Sequence, residues 1–184
     1  GEFITAIGNN IVVTAPKDDT GAANSGAIYI FEGDSESPTF GNLLKTIVNP
    51  TPGEDGQFGK FTVSVGTHIV AVAPYGGVDH AGAVYIFDGN SESPTFAHLL
   101  ETIVNPTPEA GDYFGGYPIT IGNLIVVAAN EDDNGAGHTG SVYILDGDSQ
   151  SPTFGQVLKT IVNPTPEAGD SFGDFIAAIG NHII

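Results

Sequence analysis

The sequence predicts an all-β fold, and three observations carry that prediction. Units beginning at Gly1, Gly59, Gly115 and Gly173 repeat along the chain, each opening on glycine, a variable residue and an aromatic: Gly1-Glu2-Phe3, Gly59-Lys60-Phe61, Gly115-Gly116-Tyr117 and Gly173-Asp174-Phe175. Each full unit holds four short segments rich in β-branched and aromatic residues, separated by Gly, Asn, Asp and Pro. No comparable stretch has helical periodicity. The nearest, Phe40 to Ile47, runs into Asn49-Pro50-Thr51-Pro52, which would end a helix at once.

The units span 1–58, 59–114 and 115–172, with the start of a fourth at 173–184. Units this small cannot bury a core alone, so they are expected to pack on one another. In the first, the strand segments are Phe3 to Ile7, Ile11 to Ala15, Ala27 to Phe31 and Leu43 to Val48. Gly8-Asn9-Asn10 joins the first two, with Gly66-Thr67-His68, Gly122-Asn123-Leu124 and Gly180-Asn181-His182 as its counterparts. Turns this short and led by glycine make tight antiparallel hairpins. A longer acidic or glycine-rich loop joins the second and third segments (Lys17 to Gly26, Tyr75 to Gly82, Glu131 to Gly140). The third and fourth are joined by Gly-Asp-Ser-Glu-Ser-Pro-Thr-Phe at 33–40 and its counterparts at 89–96 and 147–154. Ile11-Val12-Val13 and Ile125-Val126-Val127 are continuously apolar, as suits strands covered on both faces.

Four antiparallel strands per repeated unit is the sequence form of a β-propeller blade, giving about three blades plus one extra hairpin. Propellers close with about four to eight blades. The expectation is therefore a partial propeller or part of a larger ring, completed by the rest of a longer propeller chain or by other copies of the same chain.

Composition narrows the function classes. Twenty-two acidic residues against four lysines and no arginine give a formal charge of −18. Nucleic acid is not an expected partner, because phosphate binding needs clustered Lys and Arg. No segment has the length and apolarity of a membrane span, so membrane insertion is not expected either. With no cysteine, disulfides, thiolate metal sites and cysteine nucleophiles are excluded. The acidic surface reads as a solubilising coat, with divalent-cation binding or a salty medium as sharper alternatives.

Phe58-Gly59, Phe114-Gly115 and Phe172-Gly173 recur at one phase. Around them stand Val13-Thr14-Ala15-Pro16, Val72-Ala73-Pro74 and Val127-Ala128-Ala129, with Gly26-Ala27-Ile28-Tyr29-Ile30-Phe31 and Gly82-Ala83-Val84-Tyr85-Ile86-Phe87. Over essentially its whole length the chain resembles the FG-GAP repeat, the family that builds the β-propeller at the head of integrin α-chains and many bacterial, archaeal and algal extracellular proteins. The resemblance implies an extracellular or cell-surface location and a propeller fold. Phe would fill the wedge between blades and Gly would let backbones approach. Integrin-like members hold calcium in an Asp-x-Asp-x-Asp-Gly type loop between the first two strands. Gly8-Asn9-Asn10 and its equivalents are too short and uncharged for that cage, so this site is not carried over.

Calcium remains a possible cofactor through the second loops, where Asp19, Glu131, Asp132, Asp133 and Asn134 are candidate ligands. Calcium takes six to eight oxygens and neighbouring residues alternate direction, so solvated turn residues are the competing reading. Glu109-Ala110-Gly111-Asp112 and Glu167-Ala168-Gly169-Asp170 could be imagined as an acid–base pair, but they read better as turns at the crossing between units. No pair among His68, His80, His98, His138 and His182 has zinc-ligand spacing. His80 and His138 share a loop position with Asn24 and read as turn residues, the alternative being a pH-responsive rim. No Gly-x-Ser-x-Gly elbow or phosphate loop exists, and Asn-Pro-Thr at 49, 105 and 163 carries proline in the forbidden sequon position.

A non-catalytic extracellular binding or adhesion module is the expected function, with no catalytic residues and a protein or glycan partner. Its expected contact rim is Asp18, Asp19, Asp79, His80, Asp132, Asp133 and His138, where the loops vary while the strands repeat. The alternatives are a structural or assembly subunit of an extracellular scaffold or filament, and the non-catalytic portion of a larger enzyme.

Overall fold

The computed structural model of the chain describes residues 1–133 and 137–184. The chain is all-β, with one single-turn 3-10 segment (Val78–His80) and no longer helix among the described residues. Each full unit folds as one four-stranded antiparallel sheet with its strands in sequence order. The first sheet is β1 (Ile4–Ile7), β2 (Asn10–Ala15), β3 (Ala27–Glu32) and β4 (Leu43–Val48). The second is β5 (Thr62–Val65), β6 (His68–Ala73), β7 (Ala83–Asp88) and β8 (Leu99–Val104). The third is β9 (Gly116–Ile121), β10 (Leu124–Ala129), β11 (Ser141–Asp146) and β12 (Val157–Val162). Proline closes the second strand where expected: β2 and β6 end at Ala15 and Ala73, just before Pro16 and Pro74.

The sheets stack face to face, and strand alternation divides their side chains between two cores. From the second sheet, Ile69, Ala71, Ala73, Tyr85 and Phe87 pack toward Ile28, Ile30 and Ile47 of the first. The intervening Val70, Val72, Val84 and Ile86 pack toward Ile125, Val127, Tyr143 and Leu145 of the third. Every residue of β6 and β7 is consequently buried, which is why these strands read as continuous apolar runs. Between sheets it is the first strands that meet, β1 beside β5 and β5 beside β9. The fourth strands are the outer edges, with Leu43, Leu99, Val104 and Leu158 exposed.

Phe58 and Phe114 sit fully buried between successive sheets. Phe58 meets Tyr85 edge-on at 5.5 Å, and Phe114 meets Tyr143 at 5.2 Å. Burying such a ring stabilises by about 1.5–3 kcal/mol. The backbone is fixed on both sides: Phe114 N donates to Ala81 O (3.1 Å) and Gly115 N donates to Ala128 O (2.9 Å). The dipeptide thus stitches one unit's third-strand entrance to the next unit's second strand. The closest backbone approach falls on a glycine other than the one of the Phe-Gly pair. Gly82 (φ +90°) lies so near that a Cβ there would overlap the Phe114 backbone, and Gly26 and Gly140 stand in the same relation to Phe58 and Phe172.

The fourth unit forms only a short hairpin, β13 (Ala178–Ile179) with β14 (His182–Ile183).

Replacing Phe114 by Ala is expected to cost about 3–5 kcal/mol in urea denaturation, whereas Phe40→Ala, at a half-exposed position, costs less than about 1 kcal/mol. Gly82→Ala should destabilise well beyond Gly66→Ala. The latter site also has positive φ but open space around its Cβ, so only left-handed strain of about 1–2 kcal/mol applies.

Candidate functional site

The second and third strands of each sheet are joined by loops, of which 16–26, 74–82, 130–133 and 137–140 are described. Each is laced to the connector that leads into the next unit. Gln57 N, Tyr113 N and Ser171 N donate to the carbonyls of Asn24, His80 and His138 at 3.0, 3.4 and 3.1 Å. Asn24, His80 and His138 all have left-handed backbones (φ 50°, 59° and 56°), a region that Asn and His enter more readily than most residues. This explains why these residue types alternate at one loop position. Each histidine also engages its own loop: His80 Nδ1 lies 2.6 Å from Tyr75 O, and His138 Nδ1 lies 3.0 Å from Glu131 Oε2.

Asp18 and Asp132 are equivalent residues, and both serve as internal struts. The Asp18 carboxylate accepts from the Tyr29 hydroxyl (2.7 Å), and Asp132 accepts from the Tyr143 hydroxyl (2.6 Å). Their carbonyls close the loops by accepting from Gly26 N and Gly140 N, both at 2.9 Å. Hydrogen bonds from Thr20 and Tyr29 hold the Asp18 carboxyl below its usual range. Burial, reinforced by the bond to Asp132, pushes the Tyr143 hydroxyl up. At 3% exposure Asp132 does not belong to a solvent-facing rim, which corrects the sequence expectation: a carboxylate that receives a buried tyrosine hydroxyl must face inward. In the second unit Gly76 takes this place, and Tyr85 bonds instead to the Thr51 hydroxyl.

Asp19, Asp79, His80, Asp133 and His138 are exposed. Asp19 accepts from Asn24 N at 2.8 Å and Asp133 from His138 N at 2.6 Å, so each carboxylate braces its own loop. Asp79 offers its carbonyl to Gly111 N. Among the described residues no three His, Asp or Glu side chains converge as a cation site, and Asn134 lies outside the described residues. An open cleft of about 590 Å³ between the first connector and the second loop is lined in part by Glu54, Tyr75, Asp79, His80 and Tyr85.

The acidic turn before Phe-Gly is likewise structural. Asp112, 1% exposed, accepts from Asn105 Nδ2 (2.6 Å) and Glu109 N (2.7 Å) on one oxygen. Burial raises its pKa, opposed by the Glu109 bond and reinforced by nearby Asp132. Asp170 repeats this with Asn163 and Glu167. The first unit has Gly56 there, and Asn49 turns to the Ser25 carbonyl. Sequence reading did not join these asparagines to these aspartates. The available signal was that Asp stands at 112 and 170 and is lost only with Gly56.

No family model matches the chain, and no curated protein matches it. Solved structures do resemble it. One is the X-ray structure of a hypothetical selenium-binding protein from Sulfolobus tokodaii, with a TM-score of 0.51 at 17% identity, over 80% of this chain and 34% of that one. At that identity the likeness shows the fold alone. The present chain spans about a third of that protein's length.

Tyr143→Phe removes a hydroxyl from a buried carboxylate and should cost about 1–3 kcal/mol, whereas Tyr29→Phe, beside the less buried Asp18, should cost less; thermal melts compare the two. Because the folded pKa of Asp112 is raised, its favourable contribution is complete below its unfolded value and is lost as pH rises through the folded value. The stability of the natural chain relative to Asp112→Asn should therefore improve as pH is lowered from 7 to 4. A difference that does not move over this range in urea titrations contradicts the assignment.

Proposed function

We propose that the chain is a run of blades from an FG-GAP-like β-propeller, acting as a non-catalytic extracellular binding or adhesion module for a protein or glycan partner. Sequential four-stranded sheets, packing face to face with their first strands meeting, support the blade reading. The FG-GAP resemblance rests on the motifs Phe58-Gly59, Phe114-Gly115 and Phe172-Gly173 with their accompanying Gly-Ala-Val-Tyr-type strands. One observation carries the binding reading. The residues that build sheets recur from unit to unit, while the loops braced on the connectors differ and expose Asp19, Asp79, His80, Asp133 and His138. Buried carboxylates Asp112 and Asp132 are engaged in fixed hydrogen bonds, which favours a structural over a catalytic role for them.

Replacing residues 74–82 by residues 16–26 tests the reading, because the graft keeps the loop ends that the sheets require. On arrays of glycans and extracellular-matrix proteins, the natural chain should capture a partner that the folded graft loses. Equal capture by both removes the second loop from the contact surface.

A second reading is a structural or assembly subunit, favoured by a face of the first sheet that another copy, or the rest of a longer propeller chain, would cover. Tyr29 and Phe31 are half-buried there, whereas their equivalents Tyr85 and Phe87 are 1% and 2% exposed. Light scattering that gives a concentration-independent monomer mass counts against self-association.

A further inference from the structure

Several of the positions where one unit departs from another meet at one crevice. Between the second and third units lies a cavity of about 280 Å³ walled by Phe61, Tyr75, Tyr113 and Tyr117. Tyr75 and Tyr113 stand 5.0 Å apart with their rings inclined at 60°, and Phe61 and Tyr117 stand 5.2 Å apart at 32°. All four rings are partly exposed. The equivalent positions one unit earlier hold Lys17 for Tyr75, Gln57 for Tyr113 and Lys60 for Gly116. Sheet building thus tolerates polar side chains here. Phe61 and Tyr117 occupy the aromatic position that opens every unit, so what is peculiar to this crevice is the Tyr75–Tyr113 pair and the space opened by Gly116.

Carboxylates outnumber cationic groups along its lining. Glu131 and Asp174 line the same cavity, and the Asn130 side-chain amide lies 3.4 Å from a carboxylate oxygen of each. Two carboxylates are thereby gathered around one amide. The one lysine at the edge, Lys60, has its ammonium tied to Glu2 at 2.8 Å. The surrounding chain carries a formal charge of −18. Partly buried aromatic faces with carboxylates beside them attract a weakly hydrated cation through the ring quadrupole and the local potential together. The volume suits a small head group and excludes a segment of folded chain.

We propose that this crevice binds a soluble quaternary ammonium compound of choline size. The proposal deepens the binding-module reading by naming a ligand class for one cleft beside the braced loops, and it rests on that reading. Choline chloride is the probe, titrated calorimetrically and by tyrosine fluorescence, which no tryptophan obscures. Its uncharged isostere 3,3-dimethylbutan-1-ol and a soluble oligosaccharide serve as comparison ligands. Tyr75→Lys and Tyr113→Gln install residues that the first unit already carries at these positions, and Glu131→Gln removes charge without changing shape. The expected result is saturable choline binding, about tenfold weaker binding of the neutral isostere, and about tenfold weaker choline binding in each variant at an unchanged melting temperature. Equal affinity for the isostere, choline binding untouched in the variants, or the absence of saturation overturns the proposal. Oligosaccharide binding that the tyrosine substitutions abolish would also overturn it, in favour of a sugar site. Failure here combined with a partner captured through residues 74–82 on the arrays leaves the module reading standing and removes only this ligand.

Discussion

The architecture depends on a single repeated contact, the seating of a phenylalanine ring between two sheets at a point where two backbones almost touch. Phe58 and Phe114 belong to neither neighbouring sheet, yet each is fully buried by both. The ring can reach that position only because the chain approaches Gly26 or Gly82 at a distance no Cβ would permit. Packing and backbone geometry therefore constrain each other. A larger residue at Gly82 would lift the Phe114 backbone, withdraw the ring from Tyr143 and open the core between the second and third sheets. This coupling lets units too small to be stable alone form a cooperative stack.

The same contact sets up the loops. Because Phe114 N and Tyr113 N donate to Ala81 O and His80 O, the connector that delivers the phenylalanine also braces the loop ahead of the third strand. Exposed residues such as Asp79 and His80 are consequently displayed from a supported backbone. Side chains there can vary provided the left-handed positions are kept, a condition met by Asn24, His80 and His138. Beneath them the Tyr143–Asp132 bond shows the opposite restriction, since a buried hydroxyl and a buried carboxylate must each find a partner.

Much of the fold was legible because its signals are local. Glycine-led turns, Ala-Pro at the ends of β2 and β6, and repeated aromatic strands are properties of a few adjacent residues, and the observed strands lie within a residue or so of those positions. The roles of the acidic residues were less legible, because they depend on which side chain lies opposite. Asp132 and Asp133 are neighbours in sequence, yet one faces Tyr143 in the interior and the other faces its own loop in solvent. Adjacent acids look alike as composition and differ wholly as structure. The same limit applied to Asp112, whose partner Asn105 lies within a different motif of the unit.

Repetition itself supplies the remaining information. Where one scaffold is built several times in a chain, each position has an internal control for what the scaffold requires. Glycine before the third strand never varies, because the close approach forbids alternatives. Tyr75 and Tyr113 replace Lys17 and Gln57 without altering the sheets around them, so their aromatic character meets no demand of stacking that the first unit also faces. Two such departures that lie far apart in sequence yet meet as touching rings in one crevice are not explained by packing alone. The crevice is also where carboxylates from two successive units come together around Asn130. Departures that meet in one cleft, on sheets that otherwise repeat, are what favours a binding role for that cleft over a purely structural one.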